Sequence, residues 1–241
     1  PEESTNFNVG VIITPPLEMT IMVDYYRMSF DKPFAKEAFN CECVEPIYDA
    51  RGRLTKVIRE VVNGEGVVTD GLDFEIDFLT DSQFGIFSAG FRGNYVLSFE
   101  VAGLNFGEDW EAAGKYNSRL AGAGFEVRPM PQLKVNGWTS LKRDRHNIGL
   151  NLRYVDGMEI PYYLAEGASN AGLGGSIDAM LTLDAHYSFE ILPDSAVVTL
   201  SVHNLADERA PLVPHEQGYD AYSHYVLGRV FKLGFNYRMG Q

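Results

Sequence analysis

Apolar and polar residues alternate one by one along this chain, in nine separate stretches. From residue 177 to 189 the odd positions are Ile177, Ala179, Leu181, Leu183, Ala185, Tyr187 and Phe189. The even positions are Asp178, Met180, Thr182, Asp184, His186 and Ser188. Successive side chains of an extended chain point to opposite sides, so this stretch is a strand with one greasy and one wet face. In residues 231–239, Phe231, Leu233, Phe235, Tyr237 and Met239 alternate with Lys232, Gly234, Asn236 and Arg238. In residues 87–101, Phe87, Ala89, Phe91, Tyr95, Leu97, Phe99 and Val101 oppose Ser88, Arg92, Asn94, Ser98 and Glu100. Residues 146–155 set Ile148, Leu150, Leu152 and Tyr154 against Asn147, Asn151 and Arg153. Residues 5–13, 17–30, 68–78, 131–141 and 196–205 carry the same rhythm less regularly. Several stretches exceed the roughly 5–6 residues usual for globular strands. They supply the roughly 9–11 residues that a tilted strand needs to cross a bilayer.

The connections sort by length. Short ones fall at Thr14-Pro15-Pro16, Thr80-Asp81-Ser82-Gln83, Lys142-Arg143-Asp144-Arg145 and Leu192-Pro193-Asp194; long ones span 31–56, 102–130, 158–175 and 206–224. Strict alternation of short and long puts all turns at one end of a meander and all loops at the other. Outer-membrane barrels have that form, with periplasmic turns and extracellular loops. A soluble sandwich has no reason to sort its loops so. Tyr25, Tyr26, Phe30, Phe87, Phe99, Tyr154, Tyr187, Phe189 and Tyr237 sit towards strand ends, where an interfacial aromatic belt would lie. A mean hydropathy of −0.14 is what a wall greasy on one face only would give. No run of about 18 apolar residues marks a transmembrane helix.

The net charge of −13 argues against nucleic acid as a partner. The two cysteines, Cys41 and Cys43, are too close for an easy disulfide and too few for a structural zinc site. No metal site is expected from the five histidines, whose spacing matches no ligand pattern. Asp73, Glu75 and Asp77 share one strand face and read as a solvated polar row. No Gly-x-Ser-x-Gly elbow occurs, and Gly172-Leu173-Gly174-Gly175 lacks the Lys-Ser/Thr and helix of a phosphate cradle, so it reads as loop. No catalytic residue and no cofactor is expected. The first residue, Pro1, suggests a processed product or fragment.

Five segments carry a resemblance. Pro1-Glu2-Glu3-Ser4-Thr5-Asn6-Phe7-Asn8-Val9-Gly10-Val11 resembles the "PE.S.N.E.G" strand of TonB-dependent outer-membrane receptors. Asp70-Gly71-Leu72-Asp73-Phe74-Glu75 resembles their "GvElE" strand, and Leu152-Arg153-Tyr154-Val155-Asp156-Gly157 their "yRYvg" segment. Val202-His203-Asn204-Leu205-Ala206-Asp207-Glu208 is similar to their "v.NLfDe" element. Gly228-Arg229-Val230-Phe231-Lys232-Leu233-Gly234-Phe235-Asn236-Tyr237-Arg238 is similar to their closing strand. The five occur in the family's order and span the chain. Two departures stand out. The family usually ends on an aromatic residue, whereas this chain runs on through Met239, Gly240 and Gln241. The family's plug domain and TonB box have no counterpart in this sequence.

The resemblance implies an all-β protein: a transmembrane antiparallel β-barrel of which residues 1–241 are about nine C-terminal strands. Relatives have about 22 strands around a plugged lumen. It implies uptake of a scarce ligand across the Gram-negative outer membrane: a siderophore or metal chelate, a vitamin or an oligosaccharide. The implied partners are the remaining barrel strands, the plug domain, the TonB–ExbB–ExbD complex acting through the plug, outer-membrane lipid and lipopolysaccharide. Long loops would be extracellular and the C-terminus periplasmic. The residues placed to meet a ligand are Trp110 and Tyr116 in the second long loop, Tyr162 and Tyr163 in the third, and His215, Tyr219, Tyr222 and His224 in the fourth. The rival reading for these eight is packing of loops on one another or on the plug. The rival functions are a passive porin and a soluble β-sandwich binding module.

Overall fold

The computed structural model of the protein describes residues 1–36, 44–59, 61–63, 65–105, 108–116, 129–170, 172–214 and 217–239. Cys41 and Cys43 lie outside the described residues. The strands are β1 (Glu3–Ile13), β2 (Met19–Asp31), β3 (Phe34–Lys36), β4 (Val44–Tyr48), β5 (Leu54–Arg59), β6 (Val61–Asn63), β7 (Gly66–Ser82), β8 (Gly85–Asn105) and β9 (Glu108–Glu111). After them come β10 (Leu133–Arg143), β11 (His146–Val155), β12 (Met158–Glu159), helix α1 (Tyr162–Asn170), β13 (Ser176–Ile177), β14 (Met180–Leu192), β15 (Ala196–His203) and β16 (Val230–Tyr237). The nine long strands form one antiparallel meander in the order β1-β2-β7-β8-β10-β11-β14-β15-β16, the nine that the alternation predicts. Both edges of the sheet are open, so the barrel is not closed.

Register carries the alternation across the sheet. Leu181 pairs with Tyr154, Leu183 with Leu152 and Tyr187 with Ile148. Tyr187 also faces Leu200, which in turn faces Leu233. On the other side Val11 faces Val23, and Val23 faces Phe74. Greasy positions thus line up on one side of the sheet from edge to edge. That side is uncovered: Val11 is 60% exposed, Leu181 52% and Leu233 77%. The chain exposes 15854 Å² in all, against about 10,800 Å² for a compact soluble monomer of 26.9 kDa. Soluble monomers rarely leave apolar patches above a few hundred Å² in water. A sandwich would pack this face against a second sheet of comparable size, and the other sheets among the described residues are two-stranded pairs.

The opposite face is polar. Its row Asp24–Asp73–Asn94–Lys134 crosses four strands, and Asn94 donates to Asp73 at 2.8 Å. Large side chains on this face lie across glycines. The Trp138 indole covers Gly90, where a Cβ would also meet the Ile76 carbonyl oxygen at 2.6 Å.

Three features differ from the sequence expectation. First, a bulge between Asp70 and Gly71 leaves Leu97 of β8 without a cross-strand partner. An extra residue swaps the faces beyond it. Tyr95 faces Leu72 but Phe99 faces Thr69, so Phe99 and Val101 leave the greasy face. Phe99 therefore drops out of the expected aromatic belt. Tyr26 and Phe30 do too, because they alternate with Tyr25 and so lie on the polar face, where Asn94 donates to the Tyr26 hydroxyl at 3.1 Å. Second, the third long loop runs on to Ala179 and holds helix α1 and the small β12–β13 pair, because Ser176 and Ile177 bond to Glu159 and Met158 and do not begin β14. Third, β7 and β8 run longer than 68–78 and 87–101, leaving only Gln83 and Phe84 in their turn, and β16 ends at Tyr237.

Two outcomes are expected. In the intact barrel, Gly90→Val forces Trp138 off its seat and lowers the urea midpoint, by about 1–3 kcal/mol of stability; an unchanged midpoint would contradict the close contact. Residues 1–241 folded alone in detergent give no heat-modifiable, protease-resistant monomer, because the edges of β1 and β16 have no partners. Recovery of such a species by gel shift and trypsin digestion would show that the sheet closes on itself.

Candidate ligand-facing site

The long connections all leave the same end of the meander, and three of them fold together there. Tyr116 from the second loop, Met158, Ile160, Ala168 and Ile177 from the third, and Val213 from the fourth form one buried cluster, with Leu164 and Leu173 against it. Backbone bonds tie the loops as well. The Tyr116 amide donates to the Glu159 carbonyl at 2.9 Å and the Glu159 amide to the Gly114 carbonyl at 2.8 Å. The loop end is therefore a packed platform with its own core, held by burial and by paired backbone.

The fourth loop is clasped at its neck. Asn204 is fully buried at a φ of 53°, a left-handed conformation that Asn adopts more readily than most residues. Its amide nitrogen donates to the Glu208 carbonyl at 2.8 Å, and its amide oxygen accepts from the Glu208 backbone at 2.9 Å. The Asn204 backbone N–H donates to the Asp184 carboxylate at 2.8 Å, and the other oxygen of that carboxylate lies 3.0 Å from His203 Nδ1. Across the neck, the Arg229 backbone N–H donates to Asp207 at 2.7 Å. The segment 203–208 thus ties the start of the loop to Asp184 of β14 and draws its end, at Arg229, onto Asp207. The sequence resemblance spans Val202–Glu208 but implies no role for these residues. The signal was available in an Asn and an Asp placed just past a strand end.

The eight expected ligand residues divide. Trp110 is 8% exposed, with Lys115 Nζ 4.6 Å from its ring centre, and Tyr116 is 3% exposed inside the platform core. Burial, with the Asp220 charge adding to it, pushes the Tyr116 phenol up to about 12. His224 is 5% exposed, and burial holds its imidazole below its ordinary value against the opposing pull of Asp220. Tyr219 and Tyr222 stand at the surface, 37% and 67% exposed. Tyr162 and Tyr163 open α1, but their side chains lie outside the described residues, as does all of His215. The structure so brings Tyr116 into the loop core beside the turn that holds Asp220 and His224, and leaves Tyr219 and Tyr222 facing outwards.

A second feature was not anticipated. The polar face holds an open concavity of about 620 Å³, whose lining includes Arg92, Asn136, Trp138, Asn151, Arg153 and Asp184. The Arg92 guanidinium lies 4.8 Å from the Trp138 ring centre and 3.9 Å from the Glu75 carboxylate. The lining residues are scattered over four strands, and only register brings them together. Among the described residues no three of His, Cys, Asp or Glu converge, and the row of Asp73, Glu75 and Asp77 forms no such group.

No family model matches the chain, and no curated protein matches it. Solved structures do. A G324V mutant of the ferric enterobactin receptor PfeA from Pseudomonas aeruginosa superposes with a TM-score of 0.66 at 11% identity, covering 98% of this chain and 31% of the receptor. The siderophore receptor PirA from Acinetobacter baumannii gives 0.64 at 14%, covering 98% and 32%. The FrpB iron transporter from Neisseria meningitidis, F3-3 variant, gives 0.63 at 14%, covering 98% and 31%. The chain spans about a third of the length of these proteins, and what it shares with them is the fold of a stretch of outer-membrane receptor barrel wall.

Proposed function

We propose that this chain is the C-terminal part of the barrel wall of a TonB-dependent transporter in the outer membrane of a Gram-negative bacterium. The observation that carries this reading is the greasy face that runs across nine strands, open at both edges, in a chain that matches siderophore receptors over 98% of its length. The short turns then lie in the periplasm with the C-terminus, and the long loops face the medium. The remaining strands and the plug come from the rest of the receptor. A barrel of about 22 strands would draw about 13 from outside this sheet. That number is odd, as an all-antiparallel closure onto β1 and β16 requires.

In this reading the ligand is a ferric siderophore or a related metal chelate, as for the ferric enterobactin receptor PfeA and the siderophore receptor PirA, whose fold the chain shares. The platform of the second, third and fourth loops forms part of its entry rim, with Tyr219 and Tyr222 as contact residues. The polar face, with Arg92 and Arg153, lines the passage beneath. Energy reaches the receptor through the TonB–ExbB–ExbD complex, acting on the plug and not on this segment. Lipid and lipopolysaccharide cover the greasy face. A passive porin would share the wall but would need no coupling.

Cells making the full receptor should accumulate radiolabelled ferric siderophore, and a protonophore should abolish accumulation while surface binding persists. Accumulation indifferent to the protonophore would favour the porin. Changing both Tyr219 and Tyr222 to Ala should weaken surface binding about tenfold, since an aromatic contact contributes about 0.5–1.5 kcal/mol. Equal affinity in the double variant would remove these two residues from the site.

A further inference from the structure

One turn of the fourth loop carries polar groups that find no partner among the described residues. The His224 amide donates to the Asp220 carbonyl at 3.1 Å, which closes a single helical turn. Residues three and four apart on such a turn share a face, so Asp220, Ser223 and His224 project together. Asp220 is 4% exposed and His224 5%. One Asp220 oxygen accepts from the Tyr222 backbone N–H at 2.9 Å. The other is buried and unbonded, and so are Ser223 Oγ and both ring nitrogens of His224. A buried polar atom without a partner costs on the order of 1–3 kcal/mol, and four such atoms on one turn mark a site built for an occupant.

The donor set selects the occupant. Asp220 offers a charged oxygen, Ser223 a neutral one and His224 a nitrogen lone pair. The negative charge of Asp220 has no cation within 4.0 Å among the described residues; Lys134 is near enough to act on His224 but forms no ion pair with Asp220. A water could fill the hydrogen-bonding gap but would leave the buried charge uncompensated. Mixed imidazole and carboxylate ligation suits borderline ions of the first transition series.

We propose that Asp220, Ser223 and His224 form a binding site for one divalent transition ion of the zinc type, which pins the tip of the fourth loop to the platform around Tyr116. Solvent would complete the coordination. The site is independent of the transport reading, since its occupancy is measured as bound metal and not as uptake.

The test uses the full receptor containing this chain, purified in detergent, stripped with EDTA and titrated with Zn²⁺ by calorimetry. One Zn²⁺ should bind saturably, and Asp220→Asn and His224→Gln should each weaken it tenfold or more while heat-modifiability stays intact. X-ray absorption of the Zn²⁺-loaded wild-type protein should show one imidazole nitrogen at about 2.0 Å among oxygens. This result stands even where a variant fails to fold. Absence of saturable binding, undiminished binding in both folded variants, or a shell without imidazole or dominated by sulfur would overturn the site, leaving water or a basic side chain of the rest of the receptor as its occupant.

Discussion

Backbone hydrogen bonding in a medium without water governs everything else in this structure. Each unpaired N–H or C=O in hydrocarbon costs several kcal/mol, so strands can cross lipid only within a closed antiparallel sheet. Every inner strand of the meander has its two neighbours. Only the outer edges of β1 and β16 lack them. The odd strand count adds a second constraint. In a nine-strand meander the first and last strands run the same way, so joining them directly would make a parallel seam in an otherwise antiparallel sheet. The open edges and the parity both point to a partner that inserts an odd number of strands.

The same constraint explains where irregularity is allowed. The bulge at Asp70–Gly71 lies towards the loop end of β7, where pairing continues into the loops and backbone groups can find partners in the platform. Beyond it Val101 turns under Trp110 and is 1% exposed. The helix, the β12–β13 pair and the clasp around Asn204 also lie at this end. Among the described residues, the connections at the other end are short turns with no core of their own. Order in the loops follows from packing among the loops themselves, and Tyr219 and Tyr222 stand exposed on the packed loop end.

The wall was legible in the sequence because a period of two is a local signal. Leu181, Leu183, Tyr187 and their alternating polar neighbours announce strand, face and register parity without knowledge of any partner. The loop core was not legible. Tyr116, Met158, Ile177 and Val213 follow no period and meet only once the strands set the loop bases side by side. The bulge was hidden for the same reason, since an extra residue such as Leu97 is defined only against the strand it pairs with. Burial of Trp110, Tyr116 and His224 could not be told from exposure on loop position alone. The polar concavity around Trp138 depends on Gly90, whose missing side chain makes room for the indole from the next strand.

The alternation itself can be measured in the membrane. Nitroxide labels placed one at a time from Leu181 to Ser188 of β14, in the full receptor reconstituted into lipid, report contact with dissolved oxygen against contact with a water-soluble nickel chelate. Labels at Leu181, Leu183, Ala185 and Tyr187 should favour oxygen, and those at Thr182, Asp184, His186 and Ser188 the chelate or neither, with a period of two residues. Equal access to the chelate at odd and even positions would contradict a lipid-facing wall.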